Sequence, residues 1–95
     1  MEKGKKAVRI QVTGKVQGVC FRAWTVKQAE ELGLDGWVRN RDDGSVEALA
    51  TGPEEVVDAF ISLCHEGPPN ARVNNVVVMD AKGITARGFV QKPTV

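Results

Sequence analysis

Arg22 and Asn40 are the two side chains whose type and setting point to chemistry. Arg22 closes the run Gly14-Lys15-Val16-Gln17-Gly18-Val19-Cys20-Phe21-Arg22, which holds two glycines and no acidic residue. Glycines let successive backbone N–H groups turn toward one point, and a helix opening just afterwards adds the positive end of its dipole. Together these make a cradle for an anion, and a guanidinium beside it supplies a planar fork suited to two phosphate oxygens. From these residues alone a plain turn with a solvated arginine stands as the alternative. Asn40 precedes Arg41-Asp42-Asp43-Gly44. Its amide both donates and accepts, so it can fix a water or bond its own hairpin.

Known phosphate loops narrow the chemistry. A nucleotide P-loop needs Lys and then Ser or Thr after its last glycine, and here Val19 and Cys20 follow Gly18, which argues against ATP or GTP. Cys20 stands two residues before Arg22, too close to lie as a thiolate at the floor of a loop closed by that arginine. A small buried hydrophobe is the expectation for it. His65, the only histidine, falls on the polar side of a helix near its end. Asp42 and Asp43 suit turn bonding better than acid–base work. No grouping of His, Cys, Asp and Glu has metal-ligand spacing, so no metal and no cofactor are expected.

The elements that would position these residues follow from periodicity. Val8, Ile10 and Val12 alternate with Arg9, Gln11 and Thr13, a strand with one buried face that runs into the glycine loop. From Arg22 to Gly33 a helix is predicted, with Ala23, Val26, Ala29 and Leu32 as its apolar stripe and Gly33 as its stop. Gly36 to Asn40 and Ser45 to Thr51 read as strands joined by the Asp-Gly hairpin, with Val46, Ala48 and Ala50 on one face of the second. Thr51-Gly52-Pro53-Glu54 offers two helix starts: a Thr51–Glu54 capping box, or Pro53 in the first helical position. In that helix Val56, Ala59, Phe60, Leu63 and Cys64 share a face, and Gly67-Pro68-Pro69 ends it. Arg72 to Met79 reads as a fourth strand with a bulge at Asn74-Asn75, and Gly88 to Lys92 as a short last one. Strand, helix, strand, strand, helix, strand is the α+β, ferredoxin-like βαββαβ order: a four-stranded antiparallel sheet with two helices on one face, and room for a short fifth strand.

Size and composition agree. A chain of 95 residues supports one core, so residues 1–95 are expected as a single domain, with 1–6 as a flexible basic end. The net charge of +1 argues against a broad nucleic-acid surface. Cys20 and Cys64 lack CxxC spacing and no secretory leader precedes them, so reduced thiols in the cytoplasm are expected. No apolar run approaches the ~20 residues of a membrane span.

The stretch from Val8 to Lys92 resembles the acylphosphatase family. Gly14-Lys15-Val16-Gln17-Gly18-Val19-Cys20-Phe21-Arg22 is similar to that family's G-x-V-Q-G-V-x-[FY]-R loop. Gly36-Trp37-Val38-Arg39-Asn40 matches its G-x-V-x-N, Asp43-Gly44-Ser45-Val46-Glu47 its D-G-x-V-E, and Gly52-Pro53 its helix start. The resemblance implies a ferredoxin-like fold and hydrolysis of acyl phosphates to a carboxylate and inorganic phosphate. It implies Arg22 as the phosphate-binding arginine, Asn40 as the water-positioning asparagine, and Gln17, Gly18, Val19, Cys20, Phe21 and Arg22 as the loop whose amides hold phosphoryl oxygens. A small-molecule substrate, phosphate as product and inhibitor, and a monomer are the matching expectations.

Two other classes share the element order or the cradle. An RNA-binding sheet would stack bases on aromatics of its central strands, but the exposed positions there read Arg9, Gln11 and Thr13, then Glu47, Leu49 and Thr51. A regulatory anion-binding module would keep the cradle without turnover. Trp24, off the helix stripe, is expected at an edge beside the pocket, and Trp37 either packs on the sheet or walls the acyl site.

Overall fold

The computed structural model describes residues 4–82 and 87–95. In chain order the elements are β1 (Lys5–Lys15), α1 (Phe21–Leu32), β2 (Asp35–Asn40), β3 (Val46–Pro53), α2 (Glu54–Glu66), β4 (Arg72–Asp80) and β5 (Phe89–Gln91). They form one sheet in the order β4-β1-β3-β2-β5. β1 lies antiparallel between β3 and β4, and β2 is antiparallel to β3. The fold is thus the ferredoxin-like sandwich, in which β3 is inserted between the two strands that α1 connects. The fifth strand is present and runs parallel to β2, making the sheet mixed.

Alternation on β1 sends Val8, Ile10 and Val12 into the core, each at most 1% exposed, and leaves Arg9, Gln11 and Thr13 on the open face of the sheet. α2 closes the core with Val57, Phe60 and Cys64, spaced three and four apart. Burying a side chain of Val or Phe size is worth about 1.5–3 kcal/mol, so this seam is a main source of stability. Ala59, expected in the seam, is exposed, because Val57 rather than Val56 sets the rotation of the helix.

Several boundaries differ from expectation for physical reasons. Met1–Lys3 lie outside the described residues, but Lys5 and Lys6 are strand residues paired with Pro53 and Gly52. Lys6 also bonds Asp58 at 3.0 Å, so the basic end is docked from Lys5 onward. α2 uses neither predicted start: β3 continues through Thr51 to Pro53, and Pro53 is the N-cap with no side-chain cap. Thr51 Oγ1 is instead buried without a partner among the described residues. In α1 the buried residues are Phe21, Thr25 and Ala29, whereas Ala23 is exposed. Residues three apart drift about 60° per step around a helix, while positions four apart stay nearer one line. Phe21, buried before the predicted start, fixes which line faces the core.

The bulge falls where the sequence places it. Thr13 pairs with Asn75 and Gly14 with Val73, leaving Asn74 as the extra residue. Gly14 has φ 125°, and a Cβ there would run into the Arg72 carbonyl, so no other residue fits where β1 turns into the loop. Among the described residues, no helix is long and apolar enough to cross a membrane.

Candidate active site

The loop between β1 and α1 is built by anchoring side chains inward and leaving backbone outward. Val16 and Phe21 are 1% and 2% exposed, and Val19 is half-buried against the same core. Gln17 reaches sideways, its Nε2 donating to the carbonyls of Arg41 and Ser45, both at 2.8 Å. Gly18 takes φ 74° and Cys20 takes φ 64°, ψ 25°, the one non-glycine with positive φ among the described residues. Holding a cysteine in this region costs ~1–2 kcal/mol, a strain that tends to survive where function needs the geometry.

The result is a row of available donors. Among the described residues, no protein acceptor takes a hydrogen bond from a backbone N–H between Gln17 and Ala23; the helix ladder begins with Trp24 N–H donating to the Cys20 carbonyl at 3.0 Å. The first turn of α1 carries no acid, in contrast to α2, which opens on Glu54 and Glu55. The positive end of the α1 dipole is therefore not neutralised by its own side chains.

These groups line a cleft of about 320 Å³. Gln17, Gly18, Cys20, Phe21 and Arg22 contribute from one side, and Asn40 from the end of β2. Arg22 and Asn40, far apart in sequence, thus share one cavity, and neither side chain has a partner among the described residues. Val19 is the one expected loop residue outside the lining, since its side chain turns into the core; its amide still belongs to the unpaired row.

One expectation needs correction, and two open ones resolve. Cys20 is exposed and lines the cleft rather than filling the core, because the left-handed turn at this residue swings its side chain outward. Of the two places expected for Trp37 it takes the first: it sits on the open face of the sheet, opposite Leu49, with Arg39 Cζ 4.6 Å and Lys92 Nζ 5.1 Å from its ring centroid, and is no wall of this cleft. Trp24 packs edge-on against Phe21 at 5.4 Å and also lies outside the lining.

The hairpin carrying Asn40 is stabilised by Asp43, one of the two acids expected to serve the turn. Asp43 Oδ1 accepts from the Ser45 hydroxyl at 2.6 Å and the Ser45 amide at 2.9 Å. These bonds hold the Asp43 carboxyl below its ordinary range. The far end of the chain closes over the same turn: Val95 N–H donates to the Asn40 carbonyl at 3.1 Å and Asp42 N–H to Val95 O at 2.7 Å. His65 is exposed on α2, with Nδ1 3.0 Å from the Ile61 carbonyl. Cys64 is buried, which pushes its thiol up to about 12 and leaves it protonated and inert. Among the described residues, no three His, Cys, Asp or Glu side chains come together as a metal site.

Sequence reasoning missed three lining residues, Val16, Ala23 and Gln91. Only Gln91 among them brings a polar side chain. Its signal lay in the strand register: β5 pairs Gln91 with Val38, two residues before Asn40.

Comparison with known proteins gives the family. The acylphosphatase family model matches residues 8–91. An acylphosphatase of Rhizorhabdus wittichii is 63% identical, over 94% of this chain and 90% of that protein. One of Rhodospirillum rubrum is 51% identical, over 94% of this chain and 98% of its own length. The structure of an acylphosphatase from Coxiella burnetii superposes with a TM-score of 0.89 at 38% identity, covering 93% of each chain. The chain belongs to the acylphosphatase family of hydrolases.

Proposed function

We propose that this protein hydrolyses acyl phosphates by direct attack of a positioned water on phosphorus. The observation that carries the reading is the row of unpaired amides from Gln17 to Arg22 at the acid-free start of α1, with Arg22 and Asn40 in the same cleft.

The chemistry asks little of the protein. In an acyl phosphate the leaving group is a carboxylate, a weak base that departs without a general acid. What remains is to hold the phosphoryl group, balance charge on its equatorial oxygens and align a water opposite the leaving oxygen. The loop amides and the α1 dipole are oriented before substrate arrives, so little reorganisation is needed as charge shifts in the transition state. Arg22 adds a permanent charge and two donors. Asn40 accepts one proton of the water by hydrogen bond and donates to nothing that must leave. The water oxygen forms a bond to phosphorus, the bond from phosphorus to the acyl oxygen breaks, and its electron pair leaves with the carboxylate. The surplus water proton passes to the phosphate product or to solvent.

Purified protein with acetyl phosphate or benzoyl phosphate, in the presence of a strong chelator, tests this. Release of inorganic phosphate at an undiminished rate is expected. Turnover that chelator abolishes would remove the metal-free mechanism, and phosphate binding with no turnover would favour a regulatory anion site.

A further inference from the structure

Gln91 is the one side-chain amide of the cleft with neither a task in the hydrolytic scheme nor a partner among the described residues. Along β5, Phe89 is buried at 3% exposure, Val90 points to the other face at 52%, and Gln91 returns to the side of Phe89. On the neighbouring strand Val38 is buried on that same side, and Asn40, two residues on, shares its orientation. The parallel pairing of Val38 with Gln91 therefore sets the two amides, Asn40 and Gln91, on adjacent strands facing one cavity. Among the described residues nothing hydrogen-bonds the Gln91 side chain.

An inventory of donors and acceptors assigns its role. An acyl phosphate presents nonbridging phosphoryl oxygens and one acyl carbonyl oxygen. The phosphoryl oxygens have the loop amides and Arg22, and the water has Asn40. Gln17, the other amide of the lining, is committed to the carbonyls of Arg41 and Ser45. The bridging oxygen, its lone pair drawn toward carbonyl and phosphorus, accepts poorly, so the carbonyl oxygen is the remaining strong acceptor on the substrate, and Gln91 the remaining side-chain amide donor in the cleft.

Building on the acyl phosphate reading, we infer that Gln91 is a specificity-determining residue whose side-chain N–H groups hydrogen-bond the acyl carbonyl oxygen of the substrate. As the bond from phosphorus to the bridging oxygen breaks, the electron pair spreads over both oxygens of the departing carboxylate. The Gln91 bond strengthens as that charge develops, so the residue serves leaving-group recognition as well as binding. Phosphate esters that lack a carbonyl gain nothing from it.

Two non-hydrolysable phosphonates separate this role from the others. Acetonylphosphonate keeps the carbonyl of acetyl phosphate, with CH2 in place of the bridging oxygen; propylphosphonate has the same skeleton without the carbonyl. Binding of each to the wild type and to Gln91→Met is measured by calorimetry. One neutral hydrogen bond corresponds to roughly a three- to tenfold change in affinity. Wild type should bind acetonylphosphonate that much more tightly than propylphosphonate, and Gln91→Met should remove the difference while leaving propylphosphonate and inorganic phosphate unchanged. An equal loss for both phosphonates would place Gln91 on the phosphoryl group, and no loss for either would leave it outside the bound complex; each overturns the inference. Because binding is read without turnover, failure of wild-type hydrolysis would count against the reaction and not against this contact. Gln91→Ala, which trims the side chain further at this exposed edge position, serves if the methionine variant is unstable.

Discussion

The side chain of Gln17 donates to the Arg41 carbonyl at 2.8 Å, tying the loop that would hold phosphate to the turn that begins one residue after Asn40. A second bond from the same nitrogen reaches the Ser45 carbonyl, also at 2.8 Å, across the mouth of that turn. One amide thus links the loop proposed to hold the phosphoryl group to the turn beside the residue proposed to position the water.

Gln17→Ala should therefore cost stability and rate together. Loss of a part-buried donor serving two carbonyls should lower stability by about 1–3 kcal/mol. The rate should fall at temperatures where the variant is fully folded, because Asn40 is no longer held against the loop. Gln17→Glu should be worse for phosphate binding than Gln17→Ala, since a carboxylate cannot donate to those carbonyls and brings negative charge to the cradle. Thermal melts and kcat measured well below Tm decide this; a lowered Tm with unchanged kcat would reduce Gln17 to a purely structural tie.

Arg22 and Asn40 should separate in kinetics, because the proposed scheme sets one on the substrate and the other on the water. Arg22→Ala should weaken competitive inhibition by inorganic phosphate and lower kcat/KM by roughly 10²- to 10³-fold, the usual loss on removing a donor aimed at developing charge. Asn40→Ala should lower kcat by roughly 10²-fold through misplacement of the nucleophile, with KM and phosphate inhibition nearly unchanged. Full kcat in Asn40→Ala would refute the water assignment. Phosphate should also raise the Tm of the wild type by mass action and lose that effect in Arg22→Ala.

Much of this was legible in the sequence because local rules and fold-level order pointed the same way. The period of two in Val8, Ile10 and Val12, the Asp43-Gly44 hairpin and the Gly67 helix end all lie where expected. What was not legible depended on side chains crossing between elements. Nothing around Gln17 says that its amide leaves the loop for the Arg41 and Ser45 carbonyls. Gln91 is placed by the parallel addition of a three-residue strand after a long connection, a pairing that no short-range pattern encodes. Cys20 is exposed where a buried residue is expected, because its φ of 64° reverses the direction that its neighbours imply.

That backbone angle makes Cys20 a sensitive probe of the loop. Cys20→Ala should keep its activity, since the thiol has no part in the proposed reaction, and an inactive alanine variant with intact phosphate binding would revive a nucleophilic role. Cys20→Gly should be as stable as the wild type or more so by up to ~1 kcal/mol, because glycine reaches the left-handed region without a Cβ clash. Cys20→Val should lose both stability and phosphate affinity, as a β-branched residue resists that region and would pull the amide row out of line. Denaturant melts together with phosphate titrations of the three variants check the order.

Glu47, on the opposite face of the sheet, should set the acid limit of the fold. Its side chain is 6% exposed, with Arg39 Nε at 2.8 Å, Arg41 Nη1 at 3.0 Å and Arg9 Nε at 3.5 Å. Burial pushes its carboxyl up, but the bonds and charges of Arg39 and Arg41 outweigh that and hold it below the ordinary 4.5. A carboxyl with a depressed value in the folded state contributes stability that is complete above the ordinary value and is lost as pH falls through the depressed one. The wild type should hold its Tm from neutral pH down to about 4.5 and then lose stability steadily as acid protonates Glu47. Glu47→Gln should be less stable at neutral pH by about 1–3 kcal/mol, since the guanidiniums are only partly exposed and regain water incompletely. Its Tm should decline less steeply below pH 4.5, because this titration is gone. Equal slopes in the two proteins would show that other carboxyls govern acid unfolding. Arg41 follows Asn40 directly and bonds Glu47, so the variant should also lose kcat at neutral pH, a coupling that an independent stabilising pair on the far face would not produce.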